Sequence, residues 1–281
     1  MKLKNNLPQR WGGGAHWFIP LKGRNSFTLA EVLITLGIIG VVAVMTLPAL
    51  ISKYNEFVTI NQLKQVYSQL SNAIRMSEAV NGSLKDWDWG NGEQTYAVSS
   101  KFAETYILPY LSKNAVQCKS KNLCFGKYKY FKALNGSNIL GIYTTSPVYK
   151  YNDKTLLITV TNIPSKNCPT CSQRIKYAEI FVDVNGNKGD AILGKDVFQF
   201  TLFNYTYLTG MWVLTDLCPK GEHYGLHLGS IAGYWGGYCR SLDEMFSGKP
   251  GSCNINSSGV DCGLAIEKNG WKIPDKYPIK F

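Results

Sequence analysis

The longest apolar stretch of the chain, residues 27–51, contains a single ionisable side chain, that of Glu31. We call this stretch the apolar segment. As a helix it would extend about 37 Å at ~1.5 Å per residue, more than the ~30 Å hydrocarbon core of a bilayer. The apolar segment is therefore predicted to span a membrane. Pro48 removes a backbone donor and crowds the preceding turn, which predicts a kink or a melted turn at residues 46–48.

A second periodic pattern follows the apolar segment. In residues 52–80 the apolar side chains recur mostly at three- and four-residue steps, with polar side chains between them. That spacing predicts an amphipathic helix that continues the apolar one. Asn81 and Gly82 supply a C-terminal stop. We therefore expect one helix over residues 27–81, whose second half buries one face against a globular domain.

The remaining residues, 83–281, are predicted to form one globular, β-rich domain. Short β-branched or aromatic runs separated by Asn, Gly, Asp and Pro predict strands at residues 128–134, 139–144, 155–161, 177–184 and 197–202. Strands at this spacing favour an antiparallel meander. A short helix is expected at residues 101–106. After Leu217 the chain is rich in Gly and Cys and is expected to be loop-like, as a decorated C-terminal lobe. The predicted fold class is α+β.

The distribution of charged residues predicts how the apolar segment is oriented in the membrane. Residues 1–26 contain five basic residues and no acid, so they carry +5 of the formal net charge of +11 and leave +6 on the rest. The positive-inside rule keeps these residues in the cytoplasm and directs the C-terminal part outward. We expect residues 1–26 to be a cytoplasmic leader. The remaining +6 is modest, and a solvated surface explains it better than nucleic acid or an acidic partner.

All eight cysteines lie on the side of the apolar segment that is predicted to be exported. In an oxidising compartment an even number of cysteines predicts disulfides. Eight cysteines permit on the order of a hundred pairings, so no connectivity is assigned. The candidate disulfide cysteines are Cys118, Cys124, Cys168, Cys171, Cys218, Cys239, Cys253 and Cys262.

Cys168 and Cys171 form a CxxC motif, which can be a redox-active pair where it opens a helix in a βαβ unit. A predicted strand follows it here, so a structural disulfide is the preferred interpretation. Zinc would need a second CxxC or a nearby histidine. His223 and His227 are the only histidines after the apolar segment, and export conditions favour disulfides over zinc.

Oxygen-bearing side chains follow the predicted strand at residues 177–184. Such side chains at alternate positions around a turn glycine can surround a hard cation such as Ca²⁺. The segment is not an EF-hand, because Gly186 stands at the fourth position and no Glu closes a twelve-residue loop. A β-turn with Asn-Gly chemistry is the alternative. The candidate calcium ligands are Asp183, Asn185, Asn187, Asp190 and Asp196.

Catalytic signatures are missing from the sequence. It contains no phosphate-binding loop, no G-x-S-x-G and no convincing pair of carboxylates. We therefore assign no catalytic residue and do not expect an enzyme. Aromatic residues make up 13% of the chain and could stack on single-stranded DNA or sugars, but packing within β structure is the preferred explanation.

The run of residues 26–31, Ser-Phe-Thr-Leu-Ala-Glu, follows the basic stretch Lys-Gly-Arg at residues 22–24. It resembles the N-terminal signal of type IV pilins and of type II secretion pseudopilins. In that family a peptidase on the cytoplasmic face cuts before the Phe, and the new amine is methylated. By resemblance the cut falls between Ser26 and Phe27, although the family usually has Gly before the cut. The resemblance covers about residues 22–81, and its combination of Phe-Thr-Leu-x-Glu, long apolar run and late Pro is specific.

The resemblance implies the pilin fold, in which a long N-terminal helix packs on an antiparallel sheet. It also implies that Glu31 of one subunit neutralises the Phe27 amine of its neighbour and so fixes the axial register. A carboxylate at mid-membrane otherwise costs on the order of 2–3 kcal/mol. Pro48 would mark the part of the helix that unwinds on assembly. The loop at residues 183–196 is similar to the Asp/Asn-Gly loops of major pseudopilins, some of which hold calcium.

The function implied is that of a structural subunit in a type IV pilus, a type II secretion pseudopilus or a competence pilus. Its partners would be copies of itself or other pilins, the prepilin peptidase and an inner-membrane assembly platform, with nucleic acid only in a competence pilus. It would cross the inner membrane once, with its C-terminal domain outside the cytoplasm. The alternatives are a plain single-pass anchor whose Glu31 snorkels to the interface, holding an exported enzyme or thiol-redox protein, and a DNA-binding minor pilin.

Overall fold

A computed structural model of the chain describes residues 27–90, 95–111, 115–118, 131–139, 146–164, 174–186, 188, 190–206, 222–230 and 241–281. The expected leader, with Ser26, lies outside the described residues. So do Asn187 and five of the candidate disulfide cysteines, Cys124, Cys168, Cys171, Cys218 and Cys239. The chain divides into two compact units, Met1–Ala49 and Leu50–Phe281.

The first unit contains the start of helix α1, Leu29–Asn81. An 18-residue window of this helix has a mean hydropathy of 2.4, and none of it is buried. The helix is thus long and apolar enough to span a membrane. It continues unbroken through residues 46–48 although Pro48 lies inside it. Of the two expectations for these residues, the melted turn is therefore absent from this structure, and the kink stays a prediction.

In the second unit, α1 buries a single face. Its buried residues follow the three- and four-residue steps of an amphipathic helix and are Leu63, Val66, Leu70, Ala73, Ile74 and Ser77. The helix ends at Asn81, and Gly82 adopts a φ of 80°. A glycine in this left-handed conformation is a common way to end a helix. The predicted amphipathic half and its stop are both confirmed.

A six-stranded antiparallel sheet forms the centre of the second unit, with its strands in sequence order. The predicted α+β class and antiparallel meander are confirmed. The strands are β1 (Val116–Gln117), β2 (Val148–Tyr151), β3 (Lys154–Pro164), β4 (Arg174–Asp183), β5 (Val197–Thr206) and β6 (Glu222–Leu228).

The alternation of side chains gives the sheet two different faces. One face is apolar and shares a core with the buried stripe of α1, through residues such as Ile158, Ile180 and Phe200. The other face carries a smaller apolar cluster around Leu157 and Phe181. Beside that cluster this face is polar.

The described residues also form two short α-helices, α2 (Tyr96–Phe102) and α3 (Cys262–Lys268). A π-helical turn, Ala103–Ile107, continues α2. The short helix predicted at residues 101–106 is therefore confirmed as helical structure, formed by the end of α2 and the π-helical turn. Short 3₁₀ turns lie at Leu84–Asp86 and Glu244–Phe246.

Three predicted strands, at residues 155–161, 177–184 and 197–202, correspond to β3, β4 and β5. The strand predicted at 128–134 is wrong for its described part, where Lys132 makes only isolated bridges. The strand predicted at 139–144 lies outside the described residues except for its first residue.

The expectation of a loop-like chain after Leu217 is wrong where β6 and α3 lie. The described residues 247–261 and 269–281 contain only turns and bends and are loop-like as expected. Gly225, with a φ of 101°, and two histidines weaken the β signal of β6. Its apolar side chains at Leu226 and Leu228 nevertheless alternate and join the main core.

Candidate functional site

The N-terminus of α1 carries the residues that the sequence singled out. Phe27 precedes the helix and its side chain is exposed. Glu31 lies in the first turn, and its carboxylate Oε2 accepts hydrogen bonds from the Thr28 backbone N–H and hydroxyl, both at 2.8 Å. In return the Thr28 Oγ1 accepts a bond from the Glu31 N–H at 3.2 Å. Residues 28–31 therefore form a capping box.

The capping box gives Glu31 a role within its own chain. The first N–H groups of a helix have no intrahelical partner, and the reciprocal Thr–Glu bonds satisfy two of them. A carboxylate in the first turn also interacts favourably with the positive end of the helix dipole. This role of Thr28 and Glu31 was not among the predictions from the sequence. The T-x-x-E spacing before an apolar run is the signal that identifies it.

The rest of the apolar segment presents its large side chains to the exterior of the chain. These exposed side chains include Leu33, Ile34, Leu36, Ile38, Ile39, Val41, Val42, Val44, Met45, Leu47, Leu50 and Ile51. Soluble proteins rarely expose a continuous apolar surface of this size unless it is an interaction site. Pro48 lies within this surface, inside the helix. The segment thus requires an apolar partner, either lipid or other helices.

The candidate calcium ligands lie in the connection between β4 and β5, and the described ones are linked to one another. Asp183 Oδ1 accepts a bond from the Asn185 N–H at 3.1 Å. The Asn185 side-chain amide donates to Asp196 Oδ1 at 2.6 Å, and the Asp190 N–H donates to Asp196 Oδ2 at 2.9 Å. Burial raises the pKa of Asp196, and the Asp190 bond opposes that effect. Both oxygens of the Asp196 carboxylate thus accept hydrogen bonds from nitrogen donors within the turn.

Gly186 fixes the shape of the same turn. Its φ is 71°, and a Cβ there would lie 2.2 Å from the Asp153 backbone oxygen. In the part of the chain that the structure describes, no group of three or more His, Cys, Asp or Glu side chains could hold a metal ion. The contacts present are those of the Asn-Gly turn. Calcium binding there, with Asn187 undescribed, stays a prediction.

Two candidate disulfide cysteines are paired. Cys253 and Cys262 form a disulfide, nine residues apart, and both are buried. The bond ties the loop before α3 to the first residue of that helix. Cys118 is also in a disulfide. The expectation of disulfides is confirmed for these cysteines.

The polar face of the sheet contains a row of side chains that was not predicted from the sequence. Thr159, Glu179, Thr201 and His227 are neighbours across β3, β4, β5 and β6, and we call them the polar row. Glu179 Oε1 accepts a bond from the Gln199 side-chain amide at 3.1 Å. Burial raises the pKa of Glu179 to about 7, and the Gln199 bond opposes the rise.

The polar row does not support zinc. It contains His227, whose ring lies 5.5 Å from the Phe203 ring between centroids. The side chain of His223 lies outside the described side chains. No nucleophile lies beside Glu179 in the row apart from threonine hydroxyls, so no catalytic role is assigned to it.

A family model described as a family of unknown function (DUF6613) matches residues 49–281. That range coincides with the second unit to within one residue and leaves out nearly all of the apolar segment. No curated protein and no solved structure matches the chain.

Proposed function

The chain belongs to the DUF6613 family, and we propose that it is a structural subunit of a pilin-type filament. It is made as a single-pass inner-membrane precursor, cleaved before Phe27 and assembled through the apolar segment. The observation that carries the proposal is the exposed apolar first half of α1, headed by one carboxylate within a Phe-Thr-Leu-x-Glu sequence. The family match adds no function of its own.

The exposed apolar surface supports a helix that is buried first by lipid and later by the helices of other subunits. Each large apolar side chain gains roughly 1.5–3 kcal/mol when it is fully buried. The bilayer buries the segment before assembly, and the segments of neighbouring subunits bury it afterwards. A plain anchor would also use such a surface, so the surface alone does not separate the two functions.

The two functions differ in what they require of Glu31. A plain anchor gains nothing from a carboxylate in its apolar segment beyond the capping box. In a filament the cleaved Phe27 amine of a neighbouring subunit supplies a positive charge to that carboxylate. Leaving one member of a buried pair uncompensated typically costs ~3–5 kcal/mol, so the pair selects one axial register of subunits over others.

Filament incorporation tests the proposal. Cells that express the chain together with a prepilin peptidase and an assembly platform are sheared, and the sheared filaments are separated from membranes. We expect the chain in the filament fraction as well as in the membrane. A chain found in the membrane alone, while other subunits of the same machine enter filaments, would contradict the proposal.

A further inference from the structure

A cavity of about 360 Å³ lies beside α2, in the second unit. We call it the α2 cavity. Its size lies within the range of roughly 300–1,000 Å³ that is typical of small-molecule sites. None of its lining residues belongs to the capping box, to the β4–β5 connection or to the polar row. The residues that line it are Asp88, Gly90, Val98, Lys101, Phe102, Thr105 and Tyr106.

One wall of the α2 cavity is a π-helical turn. The Leu108 N–H donates to the Ala103 carbonyl at 2.8 Å, five residues back, which closes the wider turn of Ala103–Ile107. This turn carries Thr105 and Tyr106, two of the lining residues. π-helical residues are well under ~1% of residues in globular proteins and occur frequently at functional sites.

The facing wall is formed by the chain at Asp88 and Gly90. Gly90 has a φ of 72°, and a Cβ there would lie 2.6 Å from Val98 Cγ1, so only glycine allows this close approach to α2. The Gly90 N–H donates to Asp88 Oδ1 at 3.0 Å. Lys101 Nζ donates to Asp88 Oδ2 at 2.8 Å. A carboxylate and an ammonium are thus fixed side by side at the cavity.

The interior of the α2 cavity is aromatic. Phe102 is buried, and Tyr106 stacks on Trp87 with ring centroids 4.4 Å apart and planes 5° apart. The Tyr106 hydroxyl accepts a bond from the Asp88 N–H at 2.9 Å. These contacts hold the tyrosine ring in place, so the cavity has a rigid apolar wall next to a charged pair.

We propose that the α2 cavity binds a neutral, hydroxyl-rich ligand, namely a saccharide unit. The adjacent charges of Asp88 and Lys101 largely cancel, so the pair offers little attraction to an ion. A zwitterion would have to separate the pair before it could bind to both groups.

A sugar hydroxyl leaves the ion pair intact. A carboxylate has about four acceptor sites and an ammonium has three N–H donors, so each group can bond a hydroxyl while it keeps its partner. The side chains of Asp88 and Lys101 are 55% and 74% exposed, which leaves those positions accessible. The C–H face of a pyranose can pack on the ring of Tyr106, which is only partly buried.

This inference is independent of filament assembly, because all lining residues lie in the second unit. The chain can therefore bind a saccharide even if it does not enter filaments, and it can enter filaments even if it binds no saccharide. The test uses the full chain in an amine-oxide detergent, because maltoside detergents would themselves offer sugar to the cavity. Maltotriose, cellotriose and tri-N-acetylchitotriose are the probes, and glycine is the zwitterionic comparison.

We expect at least one trisaccharide to bind with a Kd of roughly 1 mM or tighter, measured by calorimetry or ligand-observed NMR. Asp88→Asn and Lys101→Met should each weaken that binding by about tenfold, since each removes charge-assisted bonds. The matched control is Asp243→Asn, which breaks another exposed Asp–Lys pair of the same 2.8 Å length, to Lys276. That control should bind as the unaltered chain does.

Thermal unfolding of each variant establishes that it is folded before binding is measured. The proposal is overturned if no trisaccharide binds to the unaltered chain. It is equally overturned if folded Asp88→Asn and Lys101→Met variants keep full affinity, or if glycine binds at this site in preference to the sugars.

Discussion

Thr28 and Glu31 hold each other at the N-terminus of α1, with the carboxylate accepting two hydrogen bonds from Thr28 and the threonine oxygen accepting one from the Glu31 N–H. The carboxylate proposed to meet a neighbouring amine thus already caps its own helix. Capping needs only an acceptor at this position, and either Glu or Gln serves. Pairing with an ammonium needs the negative charge. The two roles can therefore be separated by substitution.

Glu31→Gln should keep the cap and lose the charge. We expect the variant to insert into the membrane and to be cleaved, yet to enter filaments at a small fraction of the normal level. Glu31→Ala, which loses both roles, should assemble no better. Quantifying the chain in sheared filaments and in membranes checks this. Glu56→Gln, on the same helix beyond the apolar segment, is the control and should assemble normally. Normal assembly of Glu31→Gln would show that the cap alone accounts for this residue.

Glu179 should make the stability of the second unit depend on pH. Burial raises its pKa from 4.5 to about 7 in the folded chain. The folded state therefore holds the Glu179 proton more tightly than the unfolded state, so the contribution of Glu179 to stability is greatest below pH 4.5. That contribution falls as the pH rises through about 7, by at most about 3 kcal/mol.

Glu179→Gln should remove this dependence, since glutamine stays neutral at every pH. Urea unfolding at pH 5 and pH 8, followed for both forms of the chain, measures the difference. Equal pH dependence in the two forms would mean that Glu179 is not the group responsible.

The two faces of α1 in the second unit should respond differently to truncation. Leu63 is fully buried, whereas Tyr54 is 65% exposed. Leu63→Ala should destabilise the domain by about 2–5 kcal/mol, because it removes contacts and leaves a cavity. Tyr54→Ala should change stability by no more than ~0.5 kcal/mol. Denaturant unfolding of both variants gives the comparison, and similar losses would argue against the single buried face.

Removal of the Cys253–Cys262 disulfide should destabilise the C-terminal lobe. The bond closes a loop with a sequence separation of nine, for which the chain-entropy relation gives about 3 kcal/mol. The Cys253→Ser, Cys262→Ser double variant should therefore unfold at a lower temperature than the unaltered chain. Both proteins are measured without reductant, so that their other disulfides stay intact. An unchanged unfolding temperature would show that the lobe is held by its packing alone.

The sequence predicted those parts of the fold that depend on local periodicity. The spacing of Leu63, Val66 and Leu70 identified the buried stripe of α1, and β-branched runs identified β3, β4 and β5. In β6, by contrast, a glycine and two histidines obscured the alternation of Leu226 and Leu228. Local propensity is weak evidence where tertiary packing decides the conformation.

The candidate sites were less predictable because they depend on long-range register. Thr159, Glu179, Thr201 and His227 are about twenty or more residues apart in sequence, and only strand pairing brings them together. The Cys253–Cys262 pairing was equally undetermined, since loop-closure entropy changes slowly with loop length. The capping box was local, and its T-x-x-E spacing could have been recognised.

The mass of the mature N-terminus tests the central proposal most directly. The chain is extracted from cells that contain a prepilin peptidase and analysed by intact-mass and N-terminal peptide mass spectrometry. A filament subunit should begin at an N-methylated Phe27, without residues 1–26. A chain that begins at Met1 and still carries its basic leader, in cells where a known prepilin is fully cleaved, would contradict the proposed function.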